Sequence, residues 1–198
     1  MMSAIAIATE DELSEEVAIR LIRERNTSSE IEPRFGRRGF GYLKANMEKF
    51  CALAMRRPML VLTDLDRGSC PQILKDAWLG QRTPPGNLLF RVAVRETEAW
   101  LLADHEAMAG LLGVSSKLIP LKPDELEDPK RSLLELARRA PRDVRDDLLP
   151  PRNAVASQGL GYNRRLGEFV RDIWSPERAA MRSDSLKRAR LRLLNILA

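Results

Sequence analysis

The sequence has very little histidine and cysteine, and it has no long apolar run. His105 is the only histidine among 198 residues, which disfavours catalytic triads, histidine pairs and metal sites with several histidines, and we expect it on a helix surface. Cys51 and Cys70 form no CxxC pattern, so we expect partly buried thiols rather than a disulfide or zinc ligands. No apolar run approaches the roughly 20 residues that cross a bilayer, and no basic segment precedes a signal-peptide core. We therefore expect a cytoplasmic protein without a membrane partner.

Composition and charge set broad limits on the possible partners. Hydrophobic residues make up 44% of the chain and charged residues 31%, which is ordinary for a globular protein and too mixed for wholesale disorder. The net charge of +5 permits nucleic acid as a partner without demanding it, because 28 acidic residues accompany 33 basic ones. The oligomeric state is left open.

The most informative stretch is a short apolar run that ends in two aspartates. Met59–Leu62 is typical of a strand buried on both faces, and Asp64 and Asp66 follow it. If the extended conformation continues, both carboxylates point the same way and repel each other unless a cation lies between them. Their hard oxygen ligands favour Mg²⁺ or Mn²⁺. The alternative is a solvated strand end, or an aspartate that caps the next helix.

Two further predicted strands also end in acidic residues. Ala4–Ala8 is followed by Glu10, and Leu88–Val94 is followed by Glu96 and Glu98. The carboxyl ends of parallel neighbouring strands meet at one sheet edge, where α/β proteins bind ligands, so these acids suggest a common site. Glu10 could instead serve as favourable charge at a helix N-terminus.

Helices are predicted between and after these strands. Thr9 and Glu12 match a capping box for a helix that ends near Arg25, and the stretch 26–41 reads as a flexible basic loop. That loop could bind nucleic-acid phosphate through Arg34, Arg37 and Arg38, or it could be a solvated loop. The remaining predicted helices are Tyr42–Arg56, Pro71–Leu79, Thr97–Leu112, Lys130–Ala140, Gly159–Trp174, a short helix that begins at Ser175–Glu177, and Ser183–Leu197.

The predicted architecture is an α/β fold with a mostly parallel sheet flanked by helices. We place the sheet core in residues 1–114 and a helical elaboration packed on it in residues 115–198.

The motifs at the strand ends resemble a known fold. A first strand that ends in Glu10 and a later Asp64-x-Asp66 strand resemble the Toprim fold, a Rossmann-like fold of topoisomerases, primases, small nucleases and the nuclease part of OLD-family proteins. Two further motifs are similar to those of an uncharacterised bacterial family of Toprim-like proteins. They are Glu-Ala-Trp-Leu-Leu-Ala-Asp, from Glu98 to Asp104, and Asp128-Pro129-Lys130. Members of that family are commonly encoded beside an ATPase in phage-defence or mobile-element systems. The chain departs from the Toprim pattern because Asp11, not glycine, follows Glu10.

The resemblance implies a metal-dependent nuclease with an ATPase as a possible partner. Glu10, Asp64 and Asp66 would hold Mg²⁺ or Mn²⁺. Glu98, favoured over Asp104, would complete the metal shell, and Lys130 or Arg95 would bind the phosphate of DNA or RNA. A topoisomerase is disfavoured because no tyrosine lies in a context that suggests strand passage.

Two other functions stay open at this point. The chain could be a non-catalytic subunit that binds nucleic acid and docks to the ATPase, using the basic loop and the basic C-terminal helix. The Asp-x-Asp strand end could also belong to a haloacid-dehalogenase-type phosphatase, although Arg67-Gly68-Ser69 matches that family only in part.

Overall fold

The structure is a computed structural model, and it describes residues 4–24 and 27–197. Four strands form one sheet with the order β2-β1-β3-β4, and every neighbouring pair is parallel. The strands are β1 (Ile5–Thr9), β2 (Ile31–Gly36), β3 (Met59–Asp64) and β4 (Leu88–Ala93). This sheet confirms the predicted α/β class.

Helices cover both faces of the sheet. In the first part of the chain they are α1 (Glu12–Ile22), α2 (Gly39–Ala45), α3 (Met47–Ala54), α4 (Pro71–Leu79), α5 (Thr97–Leu102) and α6 (His105–Leu112). In the second part they are α7 (Pro129–Ala137), α8 (Arg142–Leu148), α9 (Tyr162–Asp172), α10 (Pro176–Ala179) and α11 (Asp184–Ile196). Short 3-10 turns span Ser116–Leu118 and Pro123–Glu125. No helix in the described part of the chain is long and apolar enough to cross a bilayer.

Strand β3 is buried on both faces, as the apolar run predicts. Leu60 and Leu62 pack into one hydrophobic cluster with α1, α5 and most of the later helices. Met59 and Val61 pack into a second cluster on the opposite face with α2, α3 and α4. Because the side chains of a strand alternate between its faces, a continuous apolar run is what a central parallel strand requires.

The helical second half shares the first of these clusters with the sheet. Leu133, Leu166 and Leu193, from α7, α9 and α11, belong to the same buried cluster as Ile5 and Ile7 of β1. One continuous core thus joins the residues on either side of residue 114. This packing does not test where the sheet part ends and the helical part begins, so the division at residue 114 stays a prediction.

Strand β2 lies within the stretch for which the sequence predicts a flexible basic loop, so that part of the loop prediction is wrong. Pro33 interrupts its ladder, and only one of its six residues, Ile31, is buried. Proline is tolerated because β2 is an edge strand, where one side of the backbone needs no partner. Gly36 ends the strand at φ +119°, and a Cβ there would collide with the Thr9 backbone. Close contact between β2 and the end of β1 therefore requires glycine.

Several helix boundaries differ from the predictions. Asp11 rather than Thr9 caps α1, since its carboxylate accepts from the Ser14 backbone N–H at 2.8 Å. Helix α1 ends at Ile22, and the predicted end at Arg25 and loop start at Asn26 lie outside the described residues. Asn46 divides the predicted helix 42–56, and Asp104 begins a new helix inside the predicted helix 97–112. The predicted α4 agrees with the structure residue for residue.

His105 is buried rather than exposed on a helix surface. Its Nε2 lies 2.9 Å from the Pro120 carbonyl oxygen, so the ring forms a structural hydrogen bond behind the sheet edge. Burial lowers the pKa of its imidazole, with a contribution from the charge of Arg182. Cys51 and Cys70 are free, partly buried thiols, as expected.

Candidate functional site

The acids at the ends of β1 and β3 lie at the point where the strand connections reverse direction. Helix α1 follows β1 on one face of the sheet and leads outward to β2. Helix α4 follows β3 on the opposite face and leads the other way, to β4. Such a reversal opens a crevice at the carboxyl ends of the two strands, which is where open α/β sheets bind ligands. Glu10 and Asp64 stand at that position.

Glu10 is bound directly to the end of β3. Its Oε1 accepts a hydrogen bond from the Asp64 backbone N–H at 3.0 Å and another from the Thr63 hydroxyl. Burial raises the pKa of Glu10, although both hydrogen bonds favour the carboxylate, and the negative charges of Asp66 and Asp11 raise it further. Glu10 is therefore held in place by two donors but lacks a compensating cation among the described residues.

Asp64 is fixed by the start of α5. Its Oδ1 accepts from the Thr97 backbone N–H at 3.0 Å and from the Thr97 hydroxyl at 2.8 Å. Burial, followed by the charges of Glu98 and Glu10, raises the pKa of Asp64 well above its ordinary value. The three carboxylates thus lie close enough to disfavour one another's ionised forms.

Glu98 is buried on α5 and is bound by a residue from the helical second half. The Tyr162 hydroxyl, on α9, donates to Glu98 Oε1 at 2.6 Å. Burial raises the pKa of Glu98, while Tyr162 and the positive charge of Lys130 lower it. Lys130 Nζ lies 5.0 Å from the centre of the Tyr162 ring, within the range of a cation–π contact. Lys130 is therefore close to Glu98, and its binding of phosphate stays a prediction.

Asp66 reaches the same edge by a different route from the predicted one. Strand β3 ends at Asp64, and Asp66 has φ +48°, so the extended conformation on which the prediction depended does not continue. Its backbone N–H donates to the Arg95 carbonyl oxygen at 2.8 Å. Arg95 in turn donates to the carbonyl oxygens of Asp66 and Gly68 at 3.1 and 2.9 Å. Arg95 thus holds the turn together.

Glu96 is a site residue that sequence reasoning did not select. Its Oε2 accepts from the Lys130 backbone N–H at 2.8 Å, so the carboxylate lies at the N-terminus of α7. Burial raises the pKa of Glu96 to about 7, and the charges of Glu98, Asp128 and Asp66 act in the same direction. The acidic run after β4 was the only signal in the sequence, and it did not separate Glu96 from Glu98.

The predicted basic loop is not a free cationic surface. Arg37 binds Glu15 through two hydrogen bonds of 2.9 and 3.0 Å, and Arg34 lies 3.6 Å from the same carboxylate. Arg38 stacks over the Tyr42 ring at 5.4 Å. Because Glu15 is almost fully buried, Arg34 and Arg37 are needed to neutralise it. Binding of nucleic acid by these three arginines remains a prediction.

Asp104, the rejected alternative to Glu98, has a structural role. Its carboxylate accepts from Arg178 Nε and Nη2 at 2.9 and 2.8 Å, and from the Ser175 backbone N–H at 2.8 Å. This ion pair joins the buried Asp104, which caps α6, to the partly exposed Arg178 of α10. Asp104 follows the C-terminal end of α5, whereas Asp64 binds Thr97 at the N-terminal end.

The donor set fits a divalent metal ion only if other ligands complete its shell. Over residues 4–24 and 27–197, no three histidine, cysteine, aspartate or glutamate side chains lie close enough together to enclose an ion as they stand. The hydrogen bonds from other residues reach one oxygen of each carboxylate, Oε1 of Glu10 and Oδ1 of Asp64. Mg²⁺ usually keeps several waters and binds one or two carboxylates together with substrate phosphate. A carboxylate pair of this kind fits that requirement.

The comparisons with known proteins support the fold. No protein-family model matches the chain, and a search of curated proteins found no match. Among solved structures, the C-terminal region of the Burkholderia pseudomallei OLD protein is similar, with a TM-score of 0.50 and 13% identity over 100% of both chains. At this identity the similarity concerns the fold alone. It agrees with the predicted Toprim-like, Rossmann-like α/β architecture.

Proposed function

We propose that this protein hydrolyses phosphodiester bonds of nucleic acid with a divalent metal ion at the Glu10–Asp64 pair. The observation that carries the proposal is the pairing of two partly buried carboxylates at the reversal point of a parallel sheet, where the Asp64 N–H donates to Glu10 at 3.0 Å. Burying two like charges side by side is unfavourable unless a cation binds between them. A fold that keeps them together thus favours a cation-binding role.

The residues around the pair have distinct parts in this proposal. Glu10 and Asp64 would hold Mg²⁺ or Mn²⁺, which supplies positive charge at the scissile phosphate and acidifies an attacking water. Glu98 would orient the shell, since Tyr162 fixes its position. Lys130 lies beside Glu98 and would contact the phosphate as a cation. Asp66, at the edge of the crevice, would reach the ion through water.

The test is cleavage of labelled single-stranded DNA, duplex DNA and RNA in Mn²⁺, in Mg²⁺ and in chelator. We expect cleavage only with metal, and its loss in Asp64→Asn, because the amide keeps the hydrogen bond to Thr97 but not the charge. Asp172→Asn is the matched control, since Asp172 is exposed on α9. Cleavage in chelator, unchanged cleavage by Asp64→Asn, or no cleavage of any of the three substrates would contradict the proposal.

A second candidate is a non-catalytic subunit that binds nucleic acid. It is favoured by the lack of a three-carboxylate cluster in the described residues and by the hydrogen bonds that already stabilise each acid within the fold. Affinity for nucleic acid that falls with salt but is unaffected by chelator, without cleavage, would support this candidate. The ATPase partner that the resemblance implies, and a place in phage defence, remain predictions under either function.

A further inference from the structure

A basic cleft lies along the open edge of the sheet, beside β4. Arg91 projects from the middle of this edge strand, Lys75 from α4 and Arg188 from α11. The cleft has a volume of about 220 Å³. Its other lining residues are Pro71, Val92, Val94, Asp124, Asp184 and Ser185.

The cations of the cleft form no ion pair with any residue that the structure describes. None of the ion pairs within residues 4–24 and 27–197 includes Lys75, Arg91 or Arg188. Of the two acids in the lining, Asp124 already accepts from the Ser183 hydroxyl at 2.7 Å and the Ser185 backbone N–H at 3.0 Å. The other, Asp184, is exposed at the first turn of α11. The lining therefore holds three cations and two acids, an excess of one positive charge.

Arg91 brings an unsatisfied buried donor to the cleft. Its Nε is buried and has no hydrogen-bond acceptor, which is rare for a guanidinium N–H. Burial lowers the pKa of Lys75, and the charges of Arg91 and Arg188 lower it further. Burial and the charge of Arg192 likewise lower the pKa of Arg91. Charges that repel one another around a buried donor are stabilised when an anion binds among them.

The position of the cleft connects it to the acidic site. Val94 lies two residues before Glu96, and Pro71 begins the helix that follows the Asp66 turn. The cleft therefore reaches the carboxyl end of β4, and β4 neighbours β3, the strand that ends in Asp64. Other arginines of the chain are less suited, since Arg190 of α11 is paired with Glu24 at 2.6 Å and Arg37 with Glu15 at 2.9 Å.

We propose that Lys75, Arg91 and Arg188 form a phosphate-binding subsite that holds the backbone of nucleic acid beside the acidic site. The choice of nucleic acid as the source of the phosphate rests on the proposed function. A guanidinium fork matches phosphate oxygens, and three cations spread over a strand and two helices suit a chain of phosphates that runs past the site.

The test is binding of fluorescein-labelled 20-nucleotide DNA and RNA in chelator, followed by anisotropy over a range of salt concentrations. Lys75→Gln with Arg188→Gln is compared with Lys44→Gln with Lys187→Gln, which removes the same charge from exposed positions on α2 and α11. We expect the cleft variant to bind about tenfold or more weakly and its log–log salt slope to be smaller by about two, because two phosphate contacts are lost. Arg91→Gln should weaken binding similarly while it retains a cooperative thermal unfolding transition.

The possible outcomes separate this inference from the proposed function. Equal effects of the two double variants, no effect of the cleft variant, or no binding of either nucleic acid by the wild type would overturn the subsite. Preferential binding of AMP or inorganic phosphate, lost in the cleft variant, would also overturn it, because the cleft would then hold a free anion. Cleft-dependent binding without metal-dependent cleavage would refute only the nuclease proposal. Metal-dependent cleavage with unaltered binding by the cleft variant would refute only the subsite.

Discussion

The Asp64 backbone N–H donates to Glu10 Oε1 at 3.0 Å, and this bond fixes the ends of β1 and β3 to each other. Because the two carboxylates raise the cost of ionising one another, their charges should be energetically coupled. In chelator at pH 8, Glu10→Gln and Asp64→Asn should each raise the free energy of unfolding by about 1 kcal/mol, a typical coupling energy between neighbouring groups. The double variant should gain less than the sum, because removal of one charge already relieves the other.

The measurement for this prediction is a double-mutant cycle by urea denaturation. In millimolar Mn²⁺ the wild type should instead be more stable than the variants, since it alone has both ligands and is stabilised by binding the ion. Additive effects in chelator would show that the charges do not interact. Identical unfolding curves with and without Mn²⁺ would show that the pair does not hold the ion.

The pKa of Glu96 predicts a specific pH dependence of stability. Burial raises this pKa from its ordinary value of 4.5 to about 7, so the native state binds the proton more tightly than the unfolded state does. Its contribution to stability is therefore fully present below about pH 4.5 and is lost as the pH rises through 7. Glu96→Gln keeps an acceptor for the Lys130 N–H but cannot titrate.

Urea denaturation in chelator at pH 5 and pH 8 tests this dependence. Between pH 5 and pH 8, the free energy of unfolding of Glu96→Gln should rise by about 1 kcal/mol relative to that of the wild type. This is less than the full pKa shift of Glu96 would give, because the side chain is partly exposed to solvent. Glu106→Gln, at an exposed position, is the control, and its free energy of unfolding should follow that of the wild type at both pH values. Parallel profiles for wild type and Glu96→Gln would contradict the prediction.

The hydroxyl of Tyr162 should stabilise the protein through Glu98. Tyr162→Phe removes a buried 2.6 Å hydrogen bond to a carboxylate and leaves Glu98 without that donor, which should lower the free energy of unfolding by about 2 kcal/mol. Tyr42→Phe, at a partly exposed ring stacked under Arg38, makes the same chemical change and should have little effect. Equal losses in the two variants, measured by chemical denaturation, would show that the Tyr162–Glu98 bond contributes nothing.

Local patterns in the sequence predicted the central part of this fold. Met59–Leu62 is predicted as a strand because a strand buried on both faces leaves a continuous apolar run. Leu88–Val94 is predicted from a similar run, although Arg91 interrupts it. Strand β2 has no such run, since it lies at an edge and contains Pro33, and only its pairing with β1 makes it a strand.

The site residues show the same distinction between local and distant signals. Glu10 and Asp64 could be placed at one edge because parallel strands bring their carboxyl ends together. The hydrogen bond between Tyr162 and Glu98 joins residues 64 positions apart, and no local pattern in the sequence predicts it. Likewise, Glu15 pairs with Arg37, 22 positions away. The sequence predicts a free basic loop here because this pairing cannot be recognised from the local run of arginines.

Asp104 provides a contrast between an acid that stabilises the fold and one proposed to bind metal. Its two oxygens accept from Arg178 at 2.9 and 2.8 Å, so Asp104→Asn should lower the free energy of unfolding by about 2 kcal/mol, because charge-assisted hydrogen bonds of a buried carboxylate are lost. At a temperature where the variant remains folded, its Mn²⁺ affinity by calorimetry should equal that of the wild type. Asp64→Asn should behave in the opposite way, with a stable fold in chelator and no Mn²⁺ binding. Loss of Mn²⁺ binding by folded Asp104→Asn would move the metal site toward α6, because Asp104 follows the C-terminal end of α5 and Asp64 binds its N-terminal end.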